Sequence, residues 1–295
     1  MIGRELRSSR SRRGCGLSEA FSARRPWHQH PFQGGRLFLV SDVHFGKNTE
    51  QIVDRFLASA TADNLRRVVV IAGDLTQDAE PDEYAATDRF VSRLLAANIR
   101  VIVTPGNHDF GRWRGERLRA DGPARAAFGD LLSSVNAQPE VIASNDFDAI
   151  TRIDDDLFVC LRSTHRGPSS KLGITGHNRI TRDQIRWAAR VLDELQTERL
   201  SLHLVTHRSL WSDDDDKHGA LCRRRRLEEE LLRPYGFASF INGHNHRFGS
   251  RSRKTPKTGY RIRHVAVPTL SERKGKHGDR GYVVWSGAEP ELVEI

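Results

Sequence analysis

Five short segments that contain aspartate, histidine or asparagine are spread along the chain, and their side chains can bind metal ions. In chain order they are Ser41-Asp42-Val43-His44, Gly73-Asp74, Gly106-Asn107-His108-Asp109, His207 and Gly243-His244-Asn245-His246. Carboxylate, imidazole and amide groups are oxygen and nitrogen ligands that first-row metals accept in proteins. Because no thiolate is among them, the donor set suits Fe, Mn or Zn and does not choose among the three.

Each segment follows a short apolar run that is typical of a buried β-strand. The runs are Leu37–Val40, Val68–Ala72, Arg100–Thr104, Leu200–Thr206 and Phe237–Asn242. Helical patterns over Thr49–Thr61 and Pro81–Ala97 separate the first three runs. Strands that alternate with helices predict βαβ units and a mainly parallel sheet. The carboxyl ends of such strands are where ligands bind in open α/β sheets, so the segments stand where a site is expected.

Taken singly, each segment is only a weak indication of a metal site, because a polar residue at a strand end is commonly part of a capped loop. Five such segments in succession make coincidence a poor explanation. His244 and His246 are two residues apart, and such residues share a face in an extended chain, so both can reach one centre. The sequence therefore predicts a metal site that is assembled from all five segments.

The remainder of the chain predicts further strands and helices around the five segments. Residues 111–150 show no regular pattern, Leu157–Leu161 is expected to be a strand, and Thr181 caps an amphipathic helix. The C-terminal part is expected to form antiparallel strands over Arg261–Val267, Tyr282–Trp285 and Leu292–Ile295.

The composition suits one large α/β domain. The chain has 295 residues, of which 37% are hydrophobic, and this is enough for one sizeable core. No apolar run approaches the roughly 20 residues of a membrane span, so no membrane partner is expected. The three cysteines, Cys15, Cys160 and Cys222, are widely separated and odd in number. They do not form a disulfide framework, and a reducing cytoplasm is the expected location.

Residues 1–34 are rich in Arg, Ser and Gly and lack apolar periodicity, so we expect a basic disordered tail before one domain over residues 35–295. Residues 1–36 hold eight arginines against two glutamates, which accounts for +6 of the formal net charge of +9. Such a start also resembles an organelle transit peptide, and a start codon chosen too far upstream would look the same. A second basic stretch, Arg247–Arg280, is offset by acidic surface elsewhere, so the whole chain does not look like a nucleic-acid clamp.

Together the five segments resemble the signature of the calcineurin-like metallophosphoesterases, over about residues 36–285. Within that superfamily, Ser41–Gly46 and Gly73–Thr76 look most like class III cyclic-nucleotide phosphodiesterases. The resemblance implies a four-layer α/β fold in which two mixed β-sheets pack face to face as a sandwich with helices outside. It also implies a hydrolase of phosphodiester or phosphomonoester bonds.

By motif position, the resemblance implies seven ligands for two divalent or trivalent metal ions: Asp42, His44, Asp74, Asn107, His207, His244 and His246. Asp42, His44 and His246 would bind the first ion, and Asp74 would bridge it to a second. Two ions about 3.5–4 Å apart clamp a phosphoryl group and make a bridging water acidic enough to attack phosphorus. His108, oriented by Asp109, would stabilise the phosphate and protonate the leaving alkoxide.

Arg208 departs from the family pattern, because the relatives often have a second histidine directly after the position of His207. A cation there is expected either to contact a phosphate oxygen or to pair with an acid. A small phosphoester such as a nucleotide is the expected substrate. A nuclease, a protein phosphatase and a non-catalytic scaffold are the alternatives; the stretch Arg247–Arg280 motivates the nuclease, and the complete ligand set argues against the scaffold.

Overall fold

The computed structural model of the chain describes residues 35–46, 49–62, 65–110, 113–114, 117–118, 122–165, 177–195, 197–211, 220–222, 224–271, 278–286 and 289–295. The tail expected over residues 1–34 lies outside these residues, as does part of the basic stretch, so the disorder of the tail stays a prediction.

The described residues form sixteen strands. They are β1 (Gly35–Val40), β2 (Arg66–Ile71), β3 (Arg100–Val103), β4 (Trp113–Arg114), β5 (Arg117–Leu118), β6 (Val141–Asn145), β7 (Asp148–Ile153), β8 (Asp156–Cys160), β9 (Thr164–His165), β10 (His177–Asn178), β11 (Ser201–Thr206), β12 (Ser239–Asn242), β13 (Gly249–Lys254), β14 (Arg261–Ala266), β15 (Gly281–Trp285) and β16 (Glu291–Glu294). The α-helices are α1 (Glu50–Thr61), α2 (Pro81–Ala96), α3 (Gly122–Asn136), α4 (Arg182–Glu194), α5 (Arg224–Leu227) and α6 (Arg233–Tyr235). A π-helical turn, Glu228–Leu232, joins α5 to α6, and 3-10 turns lie at His108–Phe110 and Thr197–Arg199.

Two mixed β-sheets form the centre of the fold. One has five strands in the order β16-β15-β1-β2-β3, with β1, β2 and β3 parallel. The other has seven strands in the order β13-β14-β12-β11-β8-β7-β6, with β8, β11, β12 and β14 parallel. The predicted architecture of two mixed sheets is confirmed.

An apolar layer joins the two sheets face to face. It includes Leu39 and Val70 from the five-stranded sheet and Phe158, Val205 and Ile241 from the seven-stranded sheet, all fully buried. A second apolar cluster packs α1, α2 and α3 on the outer face of the five-stranded sheet. A third packs α4 and the helical segment 224–235 on the outer face of the seven-stranded sheet. The chain therefore forms four layers, with helices outside the sandwich.

Two helices begin where local sequence signals predict. Pro81 opens α2, and Glu80 and Glu83 form a reciprocal capping box there. The hydroxyl of Thr181 accepts a hydrogen bond from the Gln184 N–H at 3.2 Å and so caps α4. These caps satisfy backbone N–H groups that have no partner within the first helical turn.

The middle of the chain is more regular than its sequence indicates. Residues 122–150 contain α3, β6 and the start of β7, so the prediction of an irregular segment is wrong there. Residues 111–112, 115–116 and 119–121 lie outside the described residues. The alternation expected of a strand is weak here because β6 lies at a sheet edge and no residue of it is buried. The prediction of antiparallel strands in the C-terminal part is confirmed only in part. Strand β14 pairs antiparallel with β13 but parallel with β12.

Other expectations can be compared with the described residues. No helix within them has both the length and the apolar character that a membrane crossing requires. Cys160 is buried and Cys222 is exposed, and both are free thiols. Cys15 lies outside the described residues.

Phe158→Ala should lower the free energy of unfolding by about 3–5 kcal/mol, because it leaves a cavity in the layer between the sheets. The ring is fully buried and stacks on His203 with the ring centroids 4.9 Å apart. Urea unfolding followed by circular dichroism measures the change. Ile142→Ala is the control: that side chain is 40% exposed, and the change should stay within about 0.5 kcal/mol. Equal losses in the two variants would contradict the assignment of Phe158 to the inter-sheet core.

Candidate metal centre

All five predicted segments meet at one edge of the sandwich. They follow the carboxyl ends of β1, β2 and β3 in one sheet and of β11 and β12 in the other. Parallel pairing brings these ends to the same edge of each sheet. A hydrogen bond between the sheets joins segments that are 202 positions apart, because the His244 N–H donates to Asp42 Oδ2 at 2.9 Å.

The metal-binding side chains form connected groups. Three triplets have ligand atoms within 4.8 Å of one another: Asp42, His44 and His246; His44, Asp74 and His108; and Asp74, His207 and His244. We call the first triplet the Asp42 group. The third triplet together with Asn107, whose Oδ1 is 3.1 Å from His207 Nε2, is called the His207 group. The middle triplet connects the two through His44 and Asp74, so the ligand atoms are continuous across the site.

Five of the seven predicted ligands have a left-handed backbone conformation. They are Asp42 (φ 52°), His44 (φ 49°), Asp74 (φ 54°), His244 (φ 71°) and His246 (φ 54°). This conformation is uncommon for residues other than glycine, costs on the order of 1–3 kcal/mol each, and is concentrated at functional sites. The chain therefore turns sharply after β1, β2 and β12, and these turns bring the side chains together.

At Gly106 and Gly243 in the predicted segments, glycine is required because another segment lies against the α-carbon. A β-carbon at Gly106 would be 2.1 Å from Asp74 Oδ1, and one at Gly243 would be 1.7 Å from Ser41 Oγ. Both distances are far below van der Waals contact. The glycines of these motifs therefore allow the loops from different strands to pack closely enough to share a site.

Asp42 is fully buried and uses its two carboxylate oxygens differently. Oδ2 accepts hydrogen bonds from the Ser41 hydroxyl at 2.6 Å and from the His244 N–H at 2.9 Å. Oδ1 is 3.0 Å from His246 Nε2, and no donor in the described residues is aligned for a hydrogen bond to it. Burial opposes ionisation, but His246 and His44 hold the pKa of this carboxyl well below its usual range. One oxygen is thus anchored, and the other is a charged ligand atom.

His207 indicates most clearly that a cation fits this site. Its Nδ1 lies 2.9 Å from the carbonyl oxygen of Ala72, which can only accept, so Nδ1 carries a proton. Its Nε2 is 3.1 Å from both Asp74 Oδ2 and Asn107 Oδ1. Neighbouring ligands about 2.1 Å from one ion are separated by about 3 Å, which matches this spacing. Burial lowers the pKa of His207, but Asp74 more than offsets this and raises it, as expected of an imidazole that faces anionic oxygen.

The predicted contact between Asp109 and the His108 ring is wrong. The carboxylate of Asp109 instead accepts three backbone hydrogen bonds, from the N–H groups of Asp74 (3.0 Å), Gly106 (2.8 Å) and Thr76 (2.9 Å). The side chain turns inward because the tight loops leave these donors without backbone partners. Burial raises the pKa of Asp109 to about 6. Asp109 therefore joins two loops of the site.

His108 is partly buried and lies edge-on to His44, with the ring centroids 4.8 Å apart. Its backbone N–H donates to Asp74 Oδ1 at 2.8 Å, which leaves the other oxygen of Asp74 to the His207 group. The ring Nδ1 lies 2.6 Å from the Gln77 carbonyl oxygen, so Nδ1 carries the proton and Nε2 can accept or release another. A backbone carbonyl therefore orients this ring.

Arg208 extends into the His207 group. Its Nη2 donates to Asn107 Oδ1 at 2.7 Å, and its Nη1 contacts His244 Nε2. The sequence left a phosphate oxygen or an acid as the partner of this cation, whereas the structure shows contacts with two predicted metal ligands.

Sequence reasoning missed other groups that support the site. The hydroxyl of Ser41 contacts Asp42, the carbonyl of Gln77 contacts His108, and the hydroxyl of Thr269 donates to the Asp42 carbonyl at 2.8 Å. Ser41 lies within its motif and could have been found there. Thr269 is 227 positions from Asp42, and no local pattern connects the two.

A hydrogen-bonded row of a serine, a histidine and an aspartate in the seven-stranded sheet has a structural role. His203 Nδ1 is 2.8 Å from Ser239 Oγ, and His203 Nε2 is 2.9 Å from Asp156 Oδ1. All three residues are buried, so a substrate has no access to the serine. These contacts connect β11 to β8 and β12, and they do not indicate a serine hydrolase.

Gly106→Ala should lower the free energy of unfolding by about 1–3 kcal/mol or more, because the new methyl group overlaps Asp74. It should also weaken metal binding, because Asp74 must move. Thermal unfolding and metal analysis of the purified variant measure both effects. Gly129→Ala in α3 is the matched control: its β-carbon would meet no atom within 4 Å, and alanine favours a helix by about 1 kcal/mol. A Gly106→Ala protein as stable as this control would contradict the close approach.

Comparisons with known proteins agree with this geometry. The family profile of calcineurin-like phosphoesterases matches residues 35–248. A dimetal phosphatase from Danio rerio superposes with a TM-score of 0.59 at 12% identity, over 86% of this chain and 92% of the other. A purple acid phosphatase from yellow lupin (Lupinus luteus) seeds gives a TM-score of 0.58 at 14% identity, over 87% of this chain and 49% of the other, so the chain spans about half of that enzyme.

The same fold also occurs in GAP50, the anchor in the inner membrane complex of Plasmodium, with a TM-score of 0.52 at 11% identity over 85% of this chain and 80% of the other. Comparison with curated protein sequences gave no match. At these identities the solved structures establish the fold, while the family profile covers every predicted ligand. The chain belongs to the calcineurin-like phosphoesterase family.

Proposed function

We propose that this chain is a dinuclear metal-dependent phosphoesterase. The Asp42 group together with Asp74 would hold one metal ion, and the His207 group would hold the other. The observation that carries the proposal is the position of Asp74, whose carboxylate belongs to a triplet with His44 and to another with His207. The family is dinuclear and metal-dependent, and the nitrogen and oxygen ligands suit Fe, Mn or Zn.

The side chains of the site divide into those that hold charge and those that move a proton. Bound metal ions would supply Lewis-acid stabilisation of phosphoryl oxygens and a more acidic water. Asp42 and Asp74 would balance the positive charge of the ions, because both carboxyl groups have lowered pKa values. His108, held through Nδ1 by Gln77, can deliver a proton from Nε2 to the leaving alkoxide. Asp109 is a positioning residue in this scheme.

A small phosphodiester is the proposed substrate, and a cyclic nucleotide is the first candidate. The resemblance of Ser41–Gly46 and Gly73–Thr76 to class III cyclic-nucleotide phosphodiesterases supports this choice. A phosphomonoester is the second candidate, because two proteins of the same fold are phosphatases. The predicted cytoplasmic location stays a prediction.

Contacts within the fold weaken the case for a nuclease. The guanidinium of Arg253 lies over the Trp211 ring, 4.6 Å from its centroid. Arg263 forms an ion pair with Glu289, with Nη2 and Oε1 2.9 Å apart. Nucleic-acid binding depends on cations that neutralise successive phosphates, and these two arginines already have partners within the protein.

A matched set of variants tests the roles of the ligands and of His108. Asp74→Asn should lose metal and activity together, because it removes the charge shared by both groups. His108→Ala should keep its metal but lose about 10²–10⁴-fold in kcat, the usual contribution of a proton donor. Hydrolysis of bis(p-nitrophenyl) phosphate with added Mn²⁺ and elemental analysis measure the two properties. Asp130→Asn, an exposed position on α3, is the control and should match the wild type.

Either of two results would count against these assignments. Full activity in purified Asp74→Asn would reject the metal centre. Loss of metal from His108→Ala would make His108 a ligand, as its triplet with His44 and Asp74 also allows.

A substrate screen tests the choice of phosphoester. The wild-type protein with Mn²⁺ should hydrolyse 3′,5′-cyclic nucleotides faster than nucleotide sugars, a phosphopeptide or single-stranded DNA, measured as kcat/KM by phosphorus NMR or chromatography. Asp74→Asn provides the background for each substrate. A preference for the phosphopeptide would favour a protein phosphatase, and salt-sensitive cleavage of DNA would favour a nuclease.

A further inference from the structure

Arg208 binds two of the four side chains that make up the His207 group. Its guanidinium donates to Asn107 Oδ1 at 2.7 Å and contacts Nε2 of His244. These are acceptor atoms, and each offers the guanidinium a lone pair. A metal ion held by the His207 group would have this positive charge beside two of its ligands.

The backbone of Arg208 is anchored independently of its guanidinium. Its N–H donates to Ser163 Oγ at 3.0 Å, and its carbonyl oxygen accepts from Thr206 Oγ1 at 2.7 Å. Ser163 and Thr206 are both buried. The start of the side chain is therefore fixed beside the site, while its rotatable bonds allow the charged end to move. This combination suits a cation that can occupy the site and leave it.

Both of these guanidinium contacts lie on one side of the centre. Asn107 and His244 both belong to the His207 group. Neither belongs to the Asp42 group, in which Asp42 Oδ1 lies 3.0 Å from His246 Nε2. A guanidinium and a metal ion are both cations, so electrostatic repulsion adds to the competition for ligand atoms. Any effect on metal binding should therefore be larger for the second ion than for the first.

We propose that Arg208 is an intramolecular competitor for the second metal ion, so that the Asp42 group fills first and the His207 group fills only when the guanidinium leaves. This inference rests on the proposed metal centre. It makes Arg208 a residue that determines how tightly the second ion is held. A histidine at this position, as in many relatives, would be neutral near pH 7 and would compete far less.

Calorimetric titration of Mn²⁺ into the metal-free full chain tests the proposal, with electron paramagnetic resonance to detect coupled ion pairs. The wild type should bind one equivalent tightly and a second at least about tenfold more weakly. Arg208→Gln removes the charge, so its second Kd should fall by about tenfold or more while the first stays the same. Arg208→Lys keeps the charge but lacks the forked geometry, and its second Kd should lie between these values.

Arg226→Gln is the matched control, because it removes the same charge from an exposed pair with Glu230; its two Kd values should equal those of the wild type. Equal Kd values for the second ion in the wild type and Arg208→Gln would contradict the proposed competition by Arg208. That result would still agree with a dinuclear metal centre. Weaker second binding in Arg208→Gln would overturn the competition as well, since Arg208 would then assist the ion. Binding of no metal by either protein would reject the proposed function together with this inference.

Discussion

Asp42 and Asp74 are withdrawn from water, at 0% and 1% exposure, and their pKa values are nonetheless held below the usual range. An ionised carboxylate in a protein interior is strongly unfavourable unless hydrogen bonds and positive charge surround it. Backbone N–H groups of His244 and His108 supply part of that compensation, one to each carboxylate. The sharp left-handed turns and the obligatory Gly106 follow from this need, because they bring the donors to the carboxylates.

The two carboxylates also connect the site to the sandwich. Both come from strand ends of the five-stranded sheet, whereas His207, His244 and His246 come from the seven-stranded sheet. The site forms only where the two sheets are packed together, and the apolar layer between them sets that distance. A metal ion bound by ligands from both sheets would favour the folded state over the unfolded one by mass action. Stability of the sandwich and occupancy of the site are therefore coupled.

The predicted ligands and Arg208 are neighbours in the site but differ in how far the family resemblance accounts for them. The predicted ligands, with His108 beside them, lie within the part of the chain that the family profile matches. Arg208 stands where the family resemblance leads us to expect histidine, and it reaches two of the predicted ligands. The proposed competition would make Arg208 a determinant of metal binding that leaves every predicted ligand in place.

The sequence by itself determined which strands carry the predicted ligands and where those residues stand at the strand ends, because apolar runs followed by Asp, His and Asn are local patterns. It did not reveal β6, since an edge strand without a buried residue leaves no clear alternation. It also did not reveal α3, although Phe128, Leu131, Leu132 and Val135 recur at helical spacing and are buried there. Only the tertiary structure decided that Asp109 supports the loops, that Gln77 holds His108 and that Arg208 enters the His207 group. Those contacts join residues from separate loops, and their partners are chosen by which backbone donors and acceptors remain unsatisfied once the strands have packed.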